Sequence, residues 1–556
     1  MARWGRTSAG LLAGAWFVVA VAACGGEAEP AREVDPPTGP GPGEEPPGPP
    51  PPVIENPVRT AALEAGLAPL EKLRDQPARP IGPIKSQEAA IRLGKALFWD
   101  TAVGSDGQTA CATCHFSAGS DARLTNVVHP GPNGIFETGN VTAAGATLGA
   151  LVRISSDDRI GSPGAHAATF VATSATDADQ CQPAASPVFG EFRQVTPRNA
   201  PTVIGASVYR DQFWDGRAES LFNGNDPFGD TENAGPSHGP LEQDASLASQ
   251  SLAPPLSAEE MSCAGRAWNG AGGIAGRLLD RPVLATQQVA ADDSVLGSLS
   301  AYPGTGLRCG DRPCTYRDLV APAFGNGTAK QAEASFSRIF GLSIAAYEET
   351  LLPDQTPYDR WLAGDEAALT QRQQLGVQAF VDAACSACHA GPELTDASQT
   401  FYEANGPVGE FGNDVGYHNI GVRPTEEDLG RAALGPNGVS YSRSGSPLDR
   451  GAFKTPGLRN VALTAPYFHN GGSPTLQAVM NFYDRGGDHE NEELSPRIQM
   501  LGLDPEKFQA LVDLMENGLT DCRVAMRRAP FDHPSIDIPD GPSLPAVGAG
   551  GLGPCP

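Results

Sequence analysis

The 556-residue sequence predicts a mainly α-helical protein made of two related units with long loop insertions, on three observations. Leu93-Gly94-Lys95-Ala96-Leu97-Phe98-Trp99-Asp100 lines up with Leu375-Gly376-Val377-Gln378-Ala379-Phe380-Val381-Asp382, sharing Leu, Gly, Phe and Asp at the same offsets, as an internal duplication does. Both segments have helix-start signals. Ser86 precedes Ile91, Gly94, Leu97 and Phe98 on one side of a helix, and Thr370 with Gln373 forms a capping-box pattern. No alternating strand pattern of comparable length appears, and 66 Gly with 51 Pro place much of the rest in turns and loops.

From the N-terminus, the first element is an address. Arg3 and Arg6 form a basic start, Leu11 to Ala20 an apolar stretch, and Val21-Ala22-Ala23-Cys24 its end. That tetrapeptide resembles a bacterial lipobox, in which the Cys is lipidated and becomes the new N-terminus. The alternative is ordinary cleavage nearby, with Cys24 a spare thiol. Gly25, in place of Asp, matches the outer-membrane default of such lipoproteins. Residues 1–24 are thus read as a lipoprotein signal peptide, and Pro/Gly-rich residues 25–60, which include Pro49-Pro50-Pro51-Pro52, as an extended tether. A first domain is expected over 61–355, a second over 356–520 and a tail over 521–556. No internal apolar run is long enough to span a membrane. Export leads to an oxidising compartment, the periplasm.

The charge is acidic: 39 Lys+Arg against 65 Asp+Glu give −26. A nucleic-acid binder needs a basic face for phosphates, so no nucleic-acid partner is expected. A protein partner would be basic.

Eleven cysteines stand in the chain, four of them in Cys111-Ala112-Thr113-Cys114-His115 and Cys385-Ser386-Ala387-Cys388-His389. Two C-x-x-C-H strings exceed what chance supplies. Two thiols at this spacing reach the two vinyl groups of one haem, and the following imidazole meets the iron. A zinc site or redox C-x-x-C is the competing reading. Zinc does not need His directly after both pairs, and an exported redox pair is rarely duplicated so far along one chain. The two motifs therefore predict two covalently bound c-type haems in two cytochrome-c-like domains. Cys111, Cys114 and His115 would hold one; Cys385, Cys388 and His389 would hold the other.

Further segments resemble the bacterial di-haem cytochrome c peroxidase family, which includes MauG-type enzymes. They are Leu97-Phe98-Trp99-Asp100, Pro197-Arg198-Asn199-Ala200-Pro201-Thr202, Gln212-Phe213-Trp214-Asp215-Gly216-Arg217-Ala218, and the run from Phe453-Lys454-Thr455-Pro456 to His469-Asn470-Gly471. They cover most of residues 86 to 520 in order, with insertions at about 130–190 and 222–245 whose roles the sequence leaves open. The resemblance implies that the first haem reacts with hydrogen peroxide and the second accepts electrons from a donor protein such as a small cytochrome c, which the acidic charge would make a basic one. Glu260 falls at the family's distal acid position, with Glu259 its adjacent competitor; Gln250 matches the distal Gln spacing, with Pro254 between. Peroxide cleavage needs such a group to move a proton between the two oxygens. Trp214 matches the inter-haem tryptophan, against a reading as a core residue at a helix start. Asn199, with the carbonyls of Thr464 and Pro466, matches a calcium site between the domains.

Sixth ligands decide the kind of enzyme. In resting peroxidases of this family a loop His caps the first haem; His129 is the candidate here, but its short spacing after His115 and the lack of the family's Gly-His sequence favour a surface-loop histidine instead. On the second haem the distal position falls on Tyr483, as in MauG-type enzymes, with Met480 one turn earlier as competitor. Leu476, Val479, Met480 and Tyr483 share one helix face after Pro474, so a plain core stripe is also open. The six remaining cysteines allow up to three disulfides, Cys309–Cys314 being the easiest to close. Three functions are weighed: a peroxide-reducing enzyme, a MauG-like oxidase of a protein or aromatic substrate, and a non-catalytic di-haem electron carrier. A homodimer stays open.

Overall fold

A computed structural model describes residues 56–70, 82–137 and 144–555. The signal segment, Cys24 and most of the tether lie outside the described residues. The last four residues read as tether are helical: α1 (Pro57–Glu64) begins there, capped by Asn56, whose side chain accepts from the Val58 and Arg59 amides.

Among the described residues are thirteen α-helices and only short strands, the longest of five residues, paired in five antiparallel two-stranded ribbons. The helices that position the site are α2 (Gln87–Trp99), α3 (Ser246–Ser251), α4 (Tyr316–Phe324), α5 (Phe336–Glu348), α6 (Gln371–Asp382), α7 (Leu476–Asp484) and α8 (Pro505–Asp513). Helices α2 and α6 start as the sequence predicts. The Ser86 hydroxyl accepts from the Ala89 amide, and Thr370 and Gln373 close a reciprocal box. Helix α7 is capped by Thr475, so Pro474 lies just outside it.

The aligned glycines have a common cause. A Cβ at Gly94 would collide with the Ser343 carbonyl of α5, and one at Gly376 with the Ala510 carbonyl of α8. Each glycine thus lets a helix cross its partner at backbone contact. The aligned phenylalanines also match, Phe98 lying 6.3 Å from the His115 ring and Phe380 6.4 Å from the His389 ring.

Two apolar clusters form the main core. The first gathers Leu93, Leu97 and Phe98 of α2 with Tyr316 of α4 and Phe336 and Phe340 of α5. Each such buried side chain contributes about 1.5–3 kcal/mol. Val524, Phe531, Ile536 and Ile538 of the tail join this cluster. The second gathers Phe380, Met480, Leu511, Trp361 and, from the chain start, Ala62 and Leu67. The earliest described residues therefore pack with the C-terminal half, although their position in sequence groups them with the first.

The insertion near 130–190 is a set of ribbons: β1 (Val128–His129) with β2 (Arg159–Ile160), and β3 (Ala168–Ala172) with β4 (Gln180–Pro183). Three disulfides form: Cys181–Cys263, Cys309–Cys314 and Cys522–Cys555.

Candidate active site

After α2 and a loop through Gly104 and Gly107 the chain turns through a short 3-10 segment, Cys111–Thr113, which presents Cys111, Cys114 and His115. His115 Nδ1–H donates to the Gly119 carbonyl at 2.8 Å. That bond fixes the tautomer and leaves Nε2 as the free donor for an iron. The C-terminal motif repeats the design. A 3-10 turn, Cys385–Ala387, follows α6, and His389 Nδ1 lies 3.2 Å from the Leu394 carbonyl and 3.1 Å from that of Pro456. All six other described cysteines are in disulfides, while these four stay free. Burial raises the pKa of each shifted thiol, Cys114 to about 11, Cys385 to about 12, and Cys111 above both. Free thiols followed directly by an imidazole of fixed tautomer fit covalent haem better than a zinc-bound or redox-active pair. Both residue sets fit the cofactor.

A cavity of about 750 Å³ opens on the first motif, within the range of cofactor sites. Cys111, Cys114 and His115 line it together with Gln250, Pro254, Glu260 and Trp214. Gln250 comes from α3, and Glu260 from the loop after it. Glu260 is half-buried, whereas Glu259 is exposed and outside the lining. Burial raises the Glu260 pKa above its ordinary 4.5, Arg217 opposes this and Glu259 adds to it. The loop is held from two sides. Ala165 N–H donates to the Glu259 carbonyl, Gln194 Nε2 to that of Ala258 and Ser105 N–H to that of Met261, at 3.0, 2.8 and 2.9 Å. The Cys181–Cys263 bridge ties it to β4. The 130–190 insertion thus braces the segment that bears Glu260.

His129 does not reach this cavity. It pairs with Arg159 across β1 and β2, accepts from the Gly131 amide at 3.1 Å and packs 5.9 Å from Phe189. It sits in a strand, not on the loop expected from the sequence.

Trp214 stands in a turn, not at a helix start. Its Nε1–H donates to the Asn199 carbonyl at 2.8 Å, and its own carbonyl accepts from the Lys454 amide at 2.8 Å. Two residues after Lys454 comes Pro456, whose carbonyl meets His389. Trp214 therefore touches the first cavity and, through Lys454-Thr455-Pro456, the chain that orients the second imidazole. The Asn199 side chain meets Pro466: Nδ2 donates to that carbonyl at 2.7 Å. Calcium accepts only oxygen ligands, so an ion here requires the amide turned to present Oδ1. The Thr464 hydroxyl donates to the Val461 carbonyl.

At the second motif the candidate ligands separate. Met480 is buried in the apolar cluster with Leu476 and Leu511, against which Cys385 also packs. The Tyr483 phenol feels Cys388 and Cys385, which with burial push its pKa far up. His418 and Asp396 pair at 2.7 Å beside Cys388. These three could ligate a cation; a haem attached through Cys388 would take the thiol and leave His418 and Asp396 as a polar pair beside it.

Two groups of lining residues escaped sequence reasoning. Glu348, at the end of α5, is buried and its Oε2 has no partner; burial pushes its pKa up to about 8. Arg198 and Arg217 also line the cavity, paired with Asp215 at 2.6 and 2.9 Å, and Arg198 with Asp428 at 2.6 Å. Arg198 and Arg217 lie inside the family-like segments, where their charge was a usable signal. Glu348 ends an apolar helix beside Glu349 and reads there as a solvated acid.

Two attachment motifs in two similar helix-turn settings, one of them opening on a cavity with a buried acid, define a di-haem c-type protein. The family model for di-haem cytochrome c peroxidase matches residues 88–367, just over half of the chain, and a RoxA-like, cytochrome c-like model matches 452–487. The chain belongs to the di-haem cytochrome c peroxidase family. It is 28% identical over 436 residues to cytochrome c peroxidase Ccp of Escherichia coli, covering 77% of this chain and 61% of that protein. To the methylamine utilization protein MauG of Methylorubrum extorquens it is 24% identical, over 82% and 84%. It is 35% identical to cytochrome-c peroxidase IdrP1 of Denitromonas iodatirespirans, over 33% and 53%. The chain spans about half to three-fifths of the length of the first curated relatives it matches. Among solved structures, diheme peroxidase BthA from Burkholderia thailandensis aligns with TM-score 0.44 at 18% identity, covering 82% of this chain and 90% of that one. A MauG-like protein associated with microbial copper homeostasis aligns with TM-score 0.43 at 20% identity, covering 84% and 95%.

Proposed function

We propose that this chain reduces hydrogen peroxide to water with electrons from an external donor, a small basic cytochrome c. The observation that supports it most is the placement of Glu260 and Gln250 in one cavity with Cys111, Cys114 and His115. A haem held there by Cys111, Cys114 and His115 would supply the redox-active iron at which peroxide is reduced. Glu260 takes the proton from one peroxide oxygen and returns it to the other, which leaves as water. Gln250 orients the peroxide by hydrogen bonding. Two electrons and two protons turn each peroxide into two waters. The electrons enter at the second motif and pass Trp214, whose contacts join the two sites. A carrier without catalysis has no use for a half-buried acid lining an open cavity.

Three disulfides favour an oxidising compartment, consistent with a periplasm-facing lipoprotein on the outer membrane. No helix among the described residues is long and apolar enough to cross a membrane. The Asn199–Pro466 contact is the support for a calcium ion, with Thr464 completing the expected set. A second reading, MauG-like oxidation of a protein or aromatic substrate, draws on Tyr483, whose phenol interacts electrostatically with Cys388 and Cys385.

Glu260→Gln tests the first reading. It should keep two covalent haems by pyridine haemochrome assay and lose peroxide turnover on the order of 100-fold or more. Normal turnover in Glu260→Gln with loss in Glu259→Gln would move the role to the neighbour.

A further inference from the structure

A second, smaller cavity of about 40 Å³ also touches His115; Phe98, Trp99, Tyr347, Phe531 and His533 line one part of it, and aliphatic side chains with Arg527 line another. Phe98 lies 6.3 Å from the His115 ring, 6.0 Å from Trp99 and 5.5 Å from Tyr347. Trp99 Nε1–H donates to the Tyr347 hydroxyl at 3.2 Å. On its face Trp99 stacks with His533, centroids 4.7 Å apart and planes 11° from parallel. His533 belongs to the tail, which the Cys522–Cys555 bridge closes on itself. The residue before it, Asp532, joins Asp293 in sharing one buried ammonium, Lys95, at 3.2 and 2.9 Å. Lys95 sits one helical turn before Trp99.

We propose that Trp99 is redox-active: once peroxide has oxidised the first haem site, the indole gives it one electron and holds the hole until the external donor returns that electron. The proposal rests on the peroxidase reading. One electron moves and no bond forms or breaks. The indole becomes a cation radical, its proton staying on Nε1 in the bond to Tyr347, and the haem site is reduced by one electron. Peroxide is the oxidant.

The surroundings favour the indole over its neighbours. Phe98 is too hard to oxidise. Tyrosine oxidation requires loss of the phenolic proton, and burial together with Asp532, Asp293 and Glu348 pushes the Tyr347 pKa far up. An indole cation needs no proton acceptor. Two buried carboxylates sharing one ammonium favour a nearby positive charge. Burial pushes His533 down to about 4, so the ring stacked on Trp99 is neutral; the Arg527 guanidinium, 3.3 Å from its Nε2, is the opposing cation, set against the second carboxylate at Lys95. The tail supplies both the stacked ring and one of the carboxylates.

The test treats the holoprotein with hydrogen peroxide in the absence of donor. Freeze-quenched samples should show a narrow organic-radical signal by electron paramagnetic resonance. The signal should change with indole-deuterated tryptophan and vanish in Trp99→Phe, while the ferric haem spectrum still responds to peroxide. Peptide mapping of the wild-type protein after repeated dosing supplies a check that needs no variant. Trp99 should gain oxygen several-fold more than Trp268 and Trp361, which are 5% and 0% exposed against 5% for Trp99. A radical untouched by Trp99→Phe, or equal oxidation of the three residues, overturns the proposal and leaves the peroxidase reading standing. A wild-type haem spectrum that ignores peroxide overturns both.

Discussion

Glu259 and Glu260 are adjacent acids, and only three-dimensional placement separates them. One is exposed; the other lines the cavity. Because burial raises the Glu260 pKa above 4.5, the carboxylate that accepts the peroxide proton is lost on acidification earlier than for an ordinary glutamate. The rate of haem oxidation by peroxide should therefore fall with pH along a limb centred above that value. In stopped-flow measurements the limb should persist in Glu259→Gln, shifted toward lower pH because one raising charge is gone, and vanish in Glu260→Gln. A limb centred at or below 4.5 in the wild type would remove Glu260 from the proton path. The second residue-scale choice is between Tyr483 and Met480. A phenolate is a hard anionic donor that favours ferric iron, and a thioether favours ferrous iron. Tyr483→Phe should change the low-spin ferric signal of the second haem, whereas Met480→Leu should leave it unchanged. A near-infrared His/Met charge-transfer band in the wild type, lost in Met480→Leu, would reverse the assignment. Both attachment motifs were fully legible in the sequence, since covalent chemistry dictates their spacing. Glu348 was not, because its character comes from burial that no local pattern encodes.

At the scale of elements, the repeated segment was legible and its glycines turn out to have a packing reason. Gly94 and Gly376 are where α2 meets α5 and α6 meets α8 at backbone contact, so the same offset persists although the flanking side chains differ. The ribbons of the 130–190 insertion were not legible. Their strands are two to five residues long, too short for alternation to show, and their register comes from the rest of the protein. The sequence also allowed any pairing for Cys181, since cysteine counting gives no connectivity. Its bridge to Cys263 closes a separation of 82 residues, worth about 4.5 kcal/mol in the chain-entropy account. It lies three residues from Glu260. The Cys181→Ser/Cys263→Ser double variant should lower the thermal midpoint and slow the peroxide reaction. It should do so less than Glu260→Gln does, because the hydrogen bonds to Ala258, Glu259 and Met261 remain, and haem content should stay at two. An unchanged peroxide rate with a lowered midpoint would mean that the bridge serves stability alone.

At the scale of the whole molecule, the tail and the charge act over long distances, and the sequence revealed one of the two. Composition made the charge plain. The tail's packing against α2 was invisible, because Asp532 and His533 find Lys95 and Trp99 more than 430 residues away in sequence. The net charge of −26 has a kinetic consequence if the donor is a basic protein. Attraction over the surface raises the encounter rate, and salt screens it: the Debye length falls from about 10 Å at 0.1 M to about 3 Å at 1 M. Contacts made after docking depend much less on salt, so the effect should appear in kcat/KM and not in kcat at saturating donor. With a small basic cytochrome c as donor, kcat/KM should therefore fall steeply as sodium chloride is raised over that range. With a small uncharged artificial reductant it should stay nearly flat, which separates screening from a direct effect of salt on the haem sites. A flat profile with the basic cytochrome, or a rate that rises with salt, would show that the acidic surface plays no part in recruiting the donor and that the physiological reductant is not basic.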